Sequence, residues 1–177
     1  MQNDMHIPLQ QKLKEFQHAR QALLATNFYN FETLKGVLQA ACSERTPVIL
    51  QLTKSSIAYL GLPVAVKLAE AMLKLYGVEG WVHLDHGDSY ELAAQCLDAG
   101  FDSVMIDASE KPFRENVAIT RRVVKLAKQY GANVEAELGY IAKLGQRAGE
   151  IGYTQPHEAK LFVEETGVDA LAIAIGS

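Results

Sequence analysis

The sequence predicts an α/β chain of the (β/α) barrel type, and three observations carry that reading. Short apolar runs rich in Val, Ile and Leu recur along the chain, helical patterns separate them, and polar residues gather at the C-terminal ends of the runs. Uninterrupted alternation of strand and helix implies parallel strands joined by right-handed crossovers. Two architectures fit, an open doubly wound sheet and a barrel. The stretch "ATNFYNFE" at the end of the first run contains no glycine. It therefore offers no Gly-rich phosphate loop, which weakens the dinucleotide-binding version. Polar strand ends favour the barrel, whose active sites are built at that face from several strands. Six strands are readable in the sequence, whereas a full barrel has eight over ~250 residues.

The N-terminal "MQNDMHIPLQQKLKEFQHAR" lacks the apolar stretch of a signal peptide and reads as an amphipathic helix. The predicted strands are 21–27, 47–53, 80–87, 102–109, 133–139 and 169–177, each bounded by turn residues or a polar cluster. Between them, "FETLKGVLQAACSER" carries apolar residues at helical spacing, and "VAVKLAEAMLKLYG" closes on a glycine suited to a C-cap. "DSYELAAQCLDAG" starts with Asp88 and has Glu91 three residues on, a capping-box-like opening. "ENVAITRRVVKLAKQYG" places acids early and bases late, as the helix dipole prefers. "QPHEAKLFVEETG" has Pro156 in its first turn and Gly167 at its end.

The chain has 177 residues, 49% of them hydrophobic and 21% charged, which suits one domain, or part of a larger one, with a real core. Seventeen Lys and Arg against 21 Asp and Glu give a formal charge of -4, without the basic stripe of a nucleic-acid surface. No apolar run reaches the ~18 residues that a membrane span needs. Cys42 and Cys96 fall in helical patterns among small apolar neighbours, where buried free thiols in a reducing cytoplasm are expected.

The densest chemistry lies in "GWVHLDHG". Strand residues two apart share a face, so His83 and Asp85 point one way and Leu84 the other. His86 would follow Leu84 in a regular strand; Gly87 permits a turn that frees it to aim at the strand mouth. A histidine there beside acids suits a divalent metal, most naturally zinc. From spacing alone, a histidine bonded to nearby backbone is the plainer reading of His86. His83 reads as a core or supporting histidine. Glu135 and Glu137 share a face by the same period, and two carboxylates together need a cation or donors. An edge strand would leave them solvated, but alternating α/β chains tend to cover both sheet faces. Asp107 ends the fourth strand after "VMI" with no evident structural purpose. Asp85, His86, Asp107, Glu135 and Glu137 would then converge, with Asn27 and Thr53 at the ends of the first two strands. His6, His18 and His157 look like surface residues. Lys54 has Schiff-base chemistry in principle, but a solvated or anion-attracting role fits it better.

In order, "HLDHG", "FDSVMIDAS", "VEAELG" and "GVDALAIAIGS" closely resemble the class II, metal-dependent ketose-bisphosphate aldolases, which act on fructose or tagatose 1,6-bisphosphate. "TPVILQLTKSS" resembles the family's second strand, and the likeness runs from about residue 5 to the last residue. The resemblance implies a TIM barrel that cleaves a phosphorylated sugar into dihydroxyacetone phosphate and glyceraldehyde 3-phosphate. It implies one catalytic zinc, and a second or alternative divalent or monovalent cation site. Asp85 would be the acid–base group at the aldehyde or C4-hydroxyl oxygen, and His86 a zinc ligand. Asp107 and Glu137 would match acidic positions that hold a displaced or second metal, and Glu135 a supporting acid. A cytoplasmic homodimer or homotetramer would follow for the full-length form.

Two departures qualify the likeness. The family's Gly-Gly and acidic loop after "E-x-E-L-G" is replaced by "YIAKLGQRAGE", which leaves Glu150 as the candidate proton-abstracting residue. The sixth strand normally runs into a "His-Gly" that supplies a zinc ligand, whereas this sequence ends at Ser177. Residues 1–177 are thus expected to form a single incomplete barrel domain, the N-terminal two-thirds of the enzyme, inactive alone. The alternatives are a non-catalytic remnant acting as an interaction module and, disfavoured by the "HLDHG" and "VEAELG" pairing, another metal-dependent barrel enzyme such as a hydrolase.

Overall fold

The computed structural model of the chain describes residues 7–139 and 152–175. Six strands form one sheet in sequence order: β1 (Ala25–Asn27), β2 (Val48–Thr53), β3 (Gly80–Gly87), β4 (Ser103–Ile106), β5 (Asn133–Leu138) and β6 (Ala170–Ile173). Every neighbouring pair is parallel. The helices are α1 (Leu9–His18), α2 (Phe31–Glu44), α3 (Lys54–Leu60), α4 (Leu62–Tyr76), α5 (Tyr90–Ala99), α6 (Phe113–Tyr130) and α7 (Pro156–Thr166). The sheet is the curled, open part of a (β/α) barrel, so the barrel reading holds and the doubly wound alternative does not.

The alternation of side chains along each strand divides the molecule into two cores. One set of positions, including Leu50, Leu52, Val82, Leu84, Val104, Ile106, Val134 and Ala136, packs against the outer helices in the main core. The other set faces the barrel interior. At its N-terminal end, Ile49 and Trp81 meet Leu9 of α1 in a small separate core. The Trp81 indole N–H donates to the Ile7 carbonyl oxygen at 2.8 Å, which satisfies a fully buried ring nitrogen. Lys12 of α1 pairs with Glu79 at 2.8 Å, and Gln10 hydrogen-bonds to Asp169. Helix α1 therefore lies across the strand starts and closes the floor. No single helix among the described residues is long and apolar enough to cross a membrane.

Local chemistry explains the element ends, with three departures from expectation. Helix α3 was not legible in the sequence. Thr53 creates it by accepting from the Ser56 backbone N–H at 3.3 Å, and Gly61, at φ 82°, separates it from α4. Helix α5 is capped by Ser89, whose hydroxyl oxygen accepts from Leu92 N–H at 3.3 Å. The Asp88–Glu91 opening therefore does not form; the Asp88 carboxylate is engaged by Lys54 at 2.6 Å and by the Ser89 hydroxyl at 3.2 Å. Cys96 is buried and Cys42 exposed, both as free thiols. In α2 the buried stripe is Leu34, Leu38 and Ala41, and the next residue, Cys42, is turned about 100° away from it.

Candidate active site

The interior face becomes polar toward the C-terminal ends of the strands. Above Trp81 on β3 come His83 and then Asp85; on β5 the series is Asn133, Glu135 and Glu137. β5 lies between β4 and β6, so its glutamates are not the solvated side chains of an edge strand.

The end of β3 is irregular, and that irregularity builds the site. Leu84 pairs with Val104 and Gly87 with Ile106, so β3 spends two residues, Asp85 and His86, where β4 spends one, Met105. Such a bulge bends the strand and re-aims its side chains. His86 itself takes the left-handed turn, at φ 49°. The turn expected at Gly87 is thus made one residue earlier, at a histidine, a residue type enriched among non-glycine left-handed positions. Gly87 serves the bulge through close approach. A Cβ there would stand 2.6 Å from the Met105 carbonyl oxygen and 2.6 Å from Leu84 Cδ2. In consequence Asp85 and His86, adjacent in sequence, both reach the strand mouth.

His86 Nδ1 lies 2.9 Å from Asp107 Oδ2 and 3.6 Å from Glu137 Oε2. Asp107 follows β4 and is anchored by Ser109, whose hydroxyl and backbone N–H donate to Oδ1 at 2.7 and 3.1 Å. Hydrogen bonding to Asp107, aided by the charges of Asp85, Asp107 and Glu137, raises the His86 pKa to about 9. The same bond, with those from Ser109, lowers that of Asp107 to about 2. One ligand atom each from His86, Asp107 and Glu137 lies within 4.8 Å of the others. One imidazole and two carboxylates at that spacing form a donor set that suits a divalent cation.

Asp85 stands beside this group, its Oδ2 accepting from the Asn27 amide at 2.8 Å. Thr53 pairs with Asp85 in register, but its hydroxyl is engaged with Ser55 and Ser56 in capping α3. Glu135 sits deeper, with its pKa raised by burial and by the neighbouring charges of Asp85 and Glu137. His83 is 2% exposed, and burial lowers its pKa to about 4. Its Nδ1 is 2.8 Å from the Ser103 hydroxyl, which also accepts from the Asn133 amide at 3.2 Å. Ser103 and Asn133 were not singled out from the sequence. The available signal was their spacing, since each shares a strand face with an acid further along. Lys54 is an exposed ion-pair partner of Asp88, remote from Schiff-base chemistry as it stands. Glu150 lies outside the described residues.

A parallel barrel sheet that gathers an imidazole and carboxylates at its C-terminal mouth defines the class of α/β-barrel proteins with a candidate active site at that face. Within that class the chain belongs to the class II fructose-bisphosphate aldolase family, whose model matches residues 7–177. It is 42% identical over 171 residues to the fructose-bisphosphate aldolase of Giardia intestinalis, covering 96% of this chain and 53% of that protein. It is 39% identical over 160 residues to the D-tagatose-1,6-bisphosphate aldolase subunit GatY of Klebsiella oxytoca, covering 88% of this chain and 56% of that protein. Among solved structures, the YdjI aldolase of Escherichia coli K12 superposes with a TM-score of 0.83 at 32% identity, over 95% of this chain and 60% of that one. The chain thus spans little more than half the length of the curated relatives it matches.

Proposed function

We propose that these residues belong to a class II aldolase that reversibly cleaves fructose or tagatose 1,6-bisphosphate to dihydroxyacetone phosphate and glyceraldehyde 3-phosphate. The carrying observation is the gathering of His86, Asp107 and Glu137 donor atoms within 4.8 Å of one another, with Asp85 beside them. Membership of the family and likeness to fructose- and tagatose-bisphosphate aldolases support the substrate class.

In this reading His86, Asp107 and Glu137 hold zinc, with the two acids able to take a second or alternative cation. When bound, the metal supplies Lewis-acid stabilisation of the negative charge that develops next to a ketone. The chain's own residues do the rest. Asp85 exchanges a proton with the C4-hydroxyl oxygen, which becomes the aldehyde oxygen on cleavage. Asn27, by donating to Oδ2, leaves the other carboxylate oxygen, Oδ1, for that exchange. Asp107, bonded to Nδ1, holds the His86 ring at the strand mouth beside Glu137. Thr53 lines the substrate side, Glu135 adds negative charge beneath Asp85, and Glu150 is the candidate for abstracting the substrate's carbon-bound proton. The gathering of His86, Asp107 and Glu137 does not favour the non-catalytic interaction module. The cytoplasmic homodimer or homotetramer remains part of the proposal.

The test uses the protein at its natural length. Zinc content and triose phosphate release are measured with fructose and tagatose 1,6-bisphosphate, before and after chelation. Zinc-dependent release from either sugar is expected. Release unaffected by chelation, or none from either sugar with zinc bound, overturns the reading.

A further inference from the structure

Beneath the candidate metal group runs a chain of buried polar side chains to which the proposed chemistry gives no part. Asn133, Ser103 and His83 are all interior-facing and 5%, 0% and 2% exposed. They come from β5, β4 and β3, and register sets Ser103 opposite both His83 and Asn133. The Asn133 amide donates to the Ser103 oxygen at 3.2 Å, and that oxygen lies 2.8 Å from His83 Nδ1. The far nitrogen of the ring, Nε2, has no hydrogen-bond partner although it is fully enclosed. It faces Glu135 Oε2 at 3.5 Å.

The direction of this chain follows from donor counting. A serine hydroxyl has one proton to give. Because Ser103 accepts from Asn133, its own proton is free to go to His83 Nδ1. A neutral imidazole with Nδ1 accepting carries its single proton on Nε2. That N–H then points at a carboxylate oxygen. The opposite tautomer would set a ring lone pair against the Glu135 oxygen in an enclosed space, where an unmatched acceptor pair is costly.

We propose that His83 is a positioning residue, held as its Nε2–H tautomer by the Asn133–Ser103 pair, whose ring N–H fixes the Glu135 carboxyl group at the floor of the site. The 3.5 Å separation closes to a hydrogen bond by a small rotation of either side chain, as apo active sites commonly tighten when occupied. Glu135 stands beneath Asp85 on the mouth side, and fixing it fixes the charge that Asp85 meets. A packing histidine would need only volume, whereas this arrangement needs a donor at the Nε2 position.

The effect on turnover rests on the aldolase reading; the tautomer does not. Both are therefore measured on the protein at its natural length. Long-range proton–nitrogen NMR correlations of ¹⁵N-histidine-labelled, metal-free protein identify which ring nitrogen is protonated, with the His83 signal assigned by its absence in His83→Gln. Protonated Nε2 is expected in the wild type, and mixed or Nδ1 protonation in Ser103→Ala. A wild-type His83 protonated on Nδ1, or a Ser103→Ala ring unchanged from wild type, overturns the proposal. In kinetics, His83→Leu keeps bulk but has no donor, and should lower kcat ~10-fold with KM little changed. His83→Gln restores a donor near the Nε2 position and should recover most of that loss. Equal behaviour of the two variants, with thermal midpoints showing both folded, also overturns it. If the wild type cleaves no ketose bisphosphate, the functional reading fails, and the NMR arm still decides the tautomer.

Discussion

The Asn27 amide donates to the Asp85 carboxylate at 2.8 Å, although β1 and β3 are separated by β2. In a flat sheet, strands two apart lie roughly 9.6 Å from each other, twice the ~4.8 Å strand spacing. Curling brings the inward-pointing ends of β1 and β3 together over β2. The bond is thus both a mark of barrel curvature and the device that orients the candidate acid–base group.

Asp85→Ala should lower turnover ~10²–10⁴-fold, the usual cost of losing a general acid–base group. Asn27→Ala, which leaves the carboxylate but removes its orienting donor, should fall short of that loss, at ~10-fold. Both variants should retain their metal, because neither residue belongs to the His86–Asp107–Glu137 group. Steady-state kinetics beside metal analysis check this. Metal loss in Asp85→Ala, with activity restored by added zinc, would contradict the role given to Asp85.

His86→Ala should abolish tight zinc binding. His86 is the only imidazole in the group that could hold a metal among the described residues, and two carboxylates alone suit harder cations. Metal content after dialysis against a weak chelator is the measurement. Undiminished zinc occupancy would remove His86 from the ligand set.

Metal affinity should rise with pH in a way set by Asp107. The metal-free His86 ring has its pKa raised to about 9, chiefly by the bond to Asp107. Zinc must displace that ring proton, so below about 9 each unit of pH lowered should weaken binding by up to tenfold. Above that value the dependence on this proton should flatten. Asp107→Asn removes the main cause of the raised pKa and should move the flattening to lower pH. Zinc titrations in competition with a chelator across the pH range give the curve. A variant whose flattening point matches the wild type would show that Asp107 does not control the His86 proton.

The strand count was legible because hydrophobic period and turn residues are local signals. The acids of the candidate site could be singled out for the same reason: Glu135 and Glu137 stand two apart on one strand, and Asp107 breaks an apolar run. What the sequence hid depends on competition or on curvature. Asp88 looked like a helix cap until Lys54, distant in sequence, engaged its carboxylate and left Ser89 to cap. Helix α3 was hidden because Thr53 is at once the last residue of β2 and the cap of the helix. The Asn27–Asp85 and His83–Ser103–Asn133 bonds join residues on different strands. Each partner shows a face in the sequence, but which faces meet is decided by how the sheet curls.

The bulge at the end of β3 yields the sharpest structural prediction. Gly87 is not in the left-handed region, so its lack of a side chain matters for space alone. An added Cβ would meet the Met105 carbonyl oxygen at 2.6 Å, and backbone cannot rotate away as a flexible side-chain end can. Gly87→Ala should therefore push the ends of β3 and β4 apart and cost ~1–3 kcal/mol, the range for overpacking a close-fitting site. His86 precedes Gly87 and its Asp107 partner follows β4, so the same shift should also weaken zinc binding. Gly36→Ala is the control. Gly36 lies in the middle of α2 with nothing within 4 Å of an added Cβ, and the change should stabilise by ~0.5–1 kcal/mol through helix propensity. Denaturant midpoints for the two variants, read with zinc affinity, separate a local clash from a general effect of adding a methyl group. A Gly87→Ala protein with wild-type stability and wild-type zinc affinity would mean that the bulge does not depend on this close approach.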